Sequence, residues 1–178
     1  GDADPTDISH AFILETQSLE SGILDLLRSH DRASFNASQS LTADIYEWFL
    51  DDLVRGHPFM YDTYPVSPVI TSIPYNLYLL FTIWHPLNNL QDAEDYISRL
   101  SQVGRKIAQL IDGLRLRQER GVILPAFMIP IVKADIDAIG YGAPPSHPFY
   151  DTFTERLSGV SSDEQKGLTE RVKTQINE

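Results

Sequence analysis

The sequence predicts an all-α fold: a multi-helix array around one long central helix at about residues 90–120. Two observations carry this. First, Ala93, Leu100, Ile107 and Leu114 recur every seven residues, with Tyr96/Ile97, Val103/Gly104 and Leu110/Ile111 at the half-steps. That spacing draws one apolar stripe along a helix. Second, Asp92, Glu94 and Asp95 stand in the first turn and Arg115, Arg117 and Arg120 near the last, which complements the macrodipole at both ends. Gly121 supplies the stop. Such a helix would be about 45 Å long at 1.5 Å per residue, and it needs partners along its whole stripe.

The other segments supply those partners. Ile8 to His30 places Ile8, Phe12, Leu19, Ile23, Leu26 and Leu27 at helical spacing, with Asp7 as the predicted N-cap. Arg32 to Ser40 is polar and reads as a loop. Thr42 then caps a predicted second helix, Ala43 to Arg55, with Ile45, Trp48, Phe49 and Leu53 inward and Gly56 at its end. Pro58, Pro65, Pro68 and Pro74 forbid a continuous helix across the next stretch. That stretch is unusually apolar, so it is expected to lie packed down, with a short extended piece at residues 69–73. Pro74 opens a helix through Trp84, which His85-Pro86 breaks, and Asn88 or Asn89 leads into the central helix.

After Gly121, Pro125 opens a helix to Ile139, interrupted or kinked at Pro130. Gly140 to Pro145 is a turn. Pro148 starts a short helix with Phe149, Phe153 and Leu157 on one side. Ser161 or Ser162, with Asp163 and Glu164, caps the last helix. No repeat and no internal boundary is visible, so residues 8–178 read as a single helical domain.

A chain of 178 residues with an apolar fraction of 42% can bury a sizeable core. Its net charge of −11 speaks against nucleic acid or an anionic membrane as the principal partner. No segment reaches the roughly eighteen apolar residues of a membrane span, and the nearest, Leu77 to Trp84, reads as a buried helix. With no cysteine, disulfide and thiolate chemistry are excluded. Residues 1–7 lack methionine and any apolar core, and are expected to be a linker exposed after removal of a leader. The last residues stop inside a helical pattern, so the chain is expected to be part of a longer protein, exported to the periplasm or lipid-anchored.

Five histidines were weighed as ligands or bases: His10, His30, His57, His85 and His147. None belongs to an H-E-x-x-H helix. Three precede proline and so mark element boundaries, where capping or packing is the ordinary role. His85, beside Trp84, is the best candidate substrate contact, with Tyr75 as a third member. The aromatic series Tyr61, Tyr64, Tyr75, Tyr78, Phe81 and Trp84 either packs in a core or lines a groove. Adjacent carboxylates such as Asp51-Asp52 and Glu94-Asp95 point about 100° apart on a helix and cannot act as a pair. Asp95 and Arg99 fit a surface ion pair. Arg105, Lys106, Arg115, Arg117 and Arg120 make a basic half-helix, read as a solvated face in preference to an anion site. Asn36-Ala-Ser matches a glycosylation triplet, a match frequent by chance.

Several blocks occur in a known order: Tyr64-Pro-Val, Leu77 to Leu87, Asp92 to Leu100, Gly121 to Phe127, and Pro148 to Phe153. In this the chain resembles the N-terminal half of the bacterial family known as domain of unknown function eight-eight-five. The resemblance implies an exported or lipid-anchored relative of zincin-like metallopeptidases. It places the zinc and its H-E-x-x-H helix in a C-terminal half to which nothing here corresponds, so no catalytic residue, metal ligand or cofactor is assigned to this chain. The implied role is to shape or cover a peptide-binding cleft, with a peptide or the C-terminal half as partner. The alternative is a stand-alone helical binding module whose apolar face serves a partner or a homo-oligomer.

Overall fold

The computed structural model describes residues 6–68, 72–140 and 142–177. Every regular element among them is helical, as the sequence predicts: α1 (His10–Ser29), α2 (Ala37–Gly56), α3 (Ile73–Leu79), α4 (Leu90–Leu100), α5 (Val103–Glu119), α6 (Ile129–Gly140), α7 (Pro148–Arg156) and α8 (Ser162–Asn177). Where the sequence shows no boundary, the chain forms two compact units, Ile8–Thr63 and Gly1–Asp7 with Tyr64–Glu178.

The first unit is a hairpin of α1 on α2. Its helices start elsewhere than expected. Ser9, not Asp7, caps α1, accepting from the Phe12 amide. Asn36, not Thr42, caps α2: its side chain accepts from the Gln39 amide while Gln39 Oε1 accepts from the Asn36 amide. The residues 37–40 assigned to a loop are therefore the first turn of a helix. Arg28 bridges to Glu47 and Asp51, and Arg32 to Asp44 and Glu47, tying the two helices along one side. At the other end, His57 Nε2 donates to Glu20 at 2.7 Å and the Tyr61 hydroxyl meets His10 Nδ1 at 2.7 Å.

The apolar stripes of this hairpin do not point where the sequence suggests. Leu24, Ala43, Leu50 and Tyr61 are buried. Ile45 (56% exposed), Trp48 (68%) and Phe49 (51%), expected inward, face outward, as do Leu19, Ile23 and Leu26 on α1. A two-helix layer has only one inner face, and small Ala43 lets the helices close without using these larger side chains.

The second unit holds the main core. Leu77, Phe81, Ala93, Tyr96, Ile97 and Leu100 meet Phe149 and Phe153 of α7 and Leu168 and Val172 of α8. Tyr96 lies at its centre, with Phe81 edge-on at 5.0 Å and Phe153 at 5.2 Å between ring centroids. Its hydroxyl donates to the Phe149 carbonyl at 2.9 Å, so the polar end of a fully buried ring is satisfied. Burial from every side raises the pKa of this phenol far above its ordinary value. Arg171 of α8 grips Glu94 of α4 through two bonds of 2.6 and 2.7 Å.

The central helix is broken. The stretch from Leu90 to Glu119 is helical on either side of Ser101–Gln102, where the Gln102 amide bonds the Arg99 carbonyl and not that of Ser98. The Ser98 carbonyl is taken instead by the Ser101 hydroxyl (2.8 Å) and the Gln102 side-chain amide (3.0 Å). Side chains have displaced the helical bond at this turn. Gly121, at φ +78°, ends α5 as expected.

The helix opened at Pro74 also changes character. Ser72 caps α3, and from Leu80 to Trp84 the backbone widens into a π-turn, closed by the His85 amide on the Leu80 carbonyl at 2.9 Å. The extended piece expected at residues 69–73 falls, at 69–71, outside the described residues, and Ile73 is already helical. Pro130 introduces no kink because it sits in the first turn of α6, where its missing N–H costs nothing. Ser161 and Glu164 form the predicted box at the start of α8.

Candidate functional site

The three residues singled out as substrate contacts come from the end of α3, the π-turn and the Pro86 break. His85 is 1% exposed. Its Nε2 donates to the Asp92 carbonyl at 2.8 Å, and its Nδ1 accepts from Arg99 Nη1 at 2.8 Å. A carbonyl can only accept, so the ring is the Nε2–H tautomer with both nitrogens committed. Tyr96 packs edge-on against it at 5.2 Å, and Arg156 donates to its backbone carbonyl at 3.1 Å. His85 thus links the π-turn, α4 and α7.

Trp84, its neighbour, points the other way and is 58% exposed. It stands at the rim of a cavity of about 260 Å³ floored by Leu77 and Leu80, with Asn76 on α3, Arg99 on α4 and Lys106 on α5. Lys106 Nζ donates to the Thr6 carbonyl at 2.7 Å. Burial lowers the Lys106 pKa from its ordinary value, with Asp7 acting in the opposite sense and Arg105 adding to the depression. Asp95 accepts from Gln91 at 2.9 Å while Arg99 turns inward to His85, so the expected Asp95–Arg99 surface pair is replaced by a buried contact.

Tyr75 lines a different cavity, of about 240 Å³, with Pro68, Pro74 and Val132, Asp135 and Ile139 of α6. The structure does not bring Tyr75 together with Trp84 and His85. Of the aromatic series, Phe81 and Tyr61 are core residues, whereas Tyr64, Tyr75 and Trp84 reach solvent. Lys106 is the cavity residue that the sequence did not single out by itself. Its signal was membership of the basic half-helix, from which Arg105, Arg115 and Arg120 stay on the solvent side.

The remaining histidines are dispersed. His10 and His57 hold the hairpin, His30 ends α1, and His147 caps α7 by accepting from the Phe149 amide at 3.2 Å. Burial holds the His147 pKa below its ordinary value. Among the described residues no group of three or more histidine, aspartate or glutamate side chains is placed to hold a metal ion. The donor set for zinc does not fit here, and no step through a metal follows from this chain's own residues. Nor is any helix among them long and apolar enough to cross a membrane.

Comparison with known proteins gives two findings. A family model described as bacterial protein of unknown function (DUF885) matches residues 1–178. The crystal structure of a protein from Colwellia psychrerythraea described as a lipoprotein superposes with a TM-score of 0.76 at 14% identity, covering 99% of this chain and 32% of that one. At that identity the likeness shows the fold. The chain spans about a third of that protein's length. No curated protein matches significantly.

Proposed function

Because the chain belongs to the bacterial DUF885 family, we propose that it is the N-terminal helical part of a longer exported protein, where it shapes or covers a peptide-binding cleft and is not catalytic alone. The observation that carries this reading is the outward apolar surface of the α1–α2 hairpin. Leu19, Ile23 and Leu26 on α1, and Leu41, Ile45 and Trp48 on α2, each follow the i, i+4, i+7 spacing of a stripe built to be covered. Several bulky side chains on each helix exceed the scattered exposure normal for a soluble surface. A groove of about 610 Å³ runs along the α1 stripe. Helices bury such stripes against another layer, and a further stretch of the same polypeptide would supply one.

The size of the neighbour supports this, since a chain of 20.1 kDa covers 32% of it. Export is supported by the description of that neighbour as a lipoprotein. The zincin-like peptidase relationship rests on the family resemblance, and any zinc would be held by residues outside this chain. The test is the mass of the native polypeptide in its source cell, detected with an antibody raised against residues 8–178. A product about three times the mass of this chain, in the exported fraction, is expected, and its zinc content and peptide hydrolysis would then be assayed. A product near 20.1 kDa would overturn the reading. It would favour a stand-alone module whose hairpin face serves a partner or a second copy.

A further inference from the structure

We propose that the cavity bounded by α3, the π-turn and the α4–α5 break binds an organic carboxylate carried on an apolar body. The inference concerns residues of this chain only, and it rests on the cleft reading only in naming a peptide C-terminus as one source of that carboxylate.

Charge is the first argument. The chain carries a net −11, yet this cavity collects Arg99 and Lys106 and has no carboxylate among its lining residues. A cavity that concentrates the scarce sign selects for the opposite one. The two cations stand on either side of the Ser101–Gln102 break, so they reach the cavity from separate helices and not from one mobile surface.

The second argument is desolvation. Lys106 is half-buried, with its ammonium bonded to a neutral carbonyl, that of Thr6. Partial burial of a cation costs free energy that an arriving anion recovers through a charge-assisted bond. Asp7 already acts on this lysine from outside the cavity lining, while Arg105 repels it. A ligand carboxylate would take up the side that faces the cavity.

Shape is the third. Leu77, Leu80 and Trp84 make an apolar wall beside the cations, and Asn76 adds an amide able to donate to a carboxylate oxygen. About 260 Å³ admits a group of one or two amino-acid residues and excludes a folded partner. The site thus reads an acid group at one end and a hydrocarbon or ring at the other. Small inorganic anions would leave the wall of Trp84 unused.

The experiment follows Trp84 fluorescence in the full 178-residue chain, with Trp48→Phe so that Trp84 is the only indole. The probes are N-acetyl-alanyl-phenylalanine, its C-terminal amide, and hexanoate. The peptide acid is expected to bind at least about tenfold more tightly than its amide, the ratio expected for one charge-assisted bond. Lys106→Gln should weaken the acid by about tenfold and leave the amide unchanged. If Lys106→Gln unfolds, Asn76→Ala should weaken the acid in the same sense. Hexanoate equal to or tighter than the peptide acid would assign the site to free aliphatic acids, and a peptide preference would assign it to C-termini. Both support a carboxylate site. Equal affinity of acid and amide, no response of Trp84 to any probe, or an unchanged acid affinity in a folded Lys106→Gln protein would overturn the proposal. None of these outcomes depends on the length of the native polypeptide, so failure here leaves the cleft reading standing.

Discussion

Arg99 Nη1 donates to His85 Nδ1 across 2.8 Å, while the far side of the same ring donates to the Asp92 carbonyl. The ring thereby couples a guanidinium on α4 to the first turn of that same helix through a residue that ends another. His85→Ala would leave a buried carbonyl and a guanidinium proton without this partner and open a void beside Tyr96. The expected loss of stability is about 2–4 kcal/mol, the range for removing a buried, doubly bonded group. Urea unfolding at neutral pH measures it. A loss below about 0.5 kcal/mol would show that the ring is not structural.

Stability should fall on mild acidification, through His147. Burial holds its folded pKa below the ordinary histidine value of about 6.5. The folded chain therefore binds fewer protons at this ring than the unfolded chain does, and stability rises with pH. The contribution is fully present above about 6.5 and is lost as pH falls towards the depressed folded value. Protonation also removes the lone pair that accepts from the Phe149 amide. His147→Asn keeps an N-cap acceptor without a titrating group. Comparing denaturation midpoints at pH 7.5 and 5.5 should give a smaller drop in the variant than in the parent, and equal drops would refute the assignment.

Gly159→Ala should be among the most disruptive small substitutions in the chain. At φ +70° an added Cβ would lie 2.1 Å from the Asn88 carbonyl oxygen. The contact is backbone on backbone, held by Ser158 N donating to the Leu87 carbonyl at 2.9 Å, so nothing flexible can yield. A loss of about 2 kcal/mol or more is expected from strain and displacement together. Thermal unfolding checks it, with Gly167→Ala, which meets nothing within 4 Å, as a control that should not destabilise.

Much of the helical plan was legible because periodicity and caps are local. The stripe from Ala93 to Leu100 is buried as read, and Gly121, Pro148 and the Ser161–Glu164 box end or begin helices where expected. The Asn36–Gln39 box was equally local but was obscured by Ser and Thr residues nearby that also suit a cap. The Ser101–Gln102 break is invisible to periodicity, since it turns on which donor reaches one carbonyl, that of Ser98.

The site was less legible, for physical reasons. His85 could be placed at a boundary, but its burial depends on Arg99 and Asp92, which a different element supplies. Tyr75 and Trp84 are nine residues apart, about half a turn out of phase on a helix, which argues against a shared cavity. The depressed pKa of Lys106 arises from Thr6 and the surrounding packing, a hundred residues away in sequence.

The π-turn from Leu80 to Trp84 has a consequence for chain register. Closing a turn from His85 to Leu80 accommodates one residue more than the α-helical closure it replaces. Removing any one residue between Leu80 and Ile83 would let an ordinary turn form and rotate all that follows by about 100° before Pro86. Trp84 would then swing off the cavity rim and His85 out from beneath Tyr96. The widened turn is thus a single-residue spacer that keeps one neighbour in the core and the other at the surface.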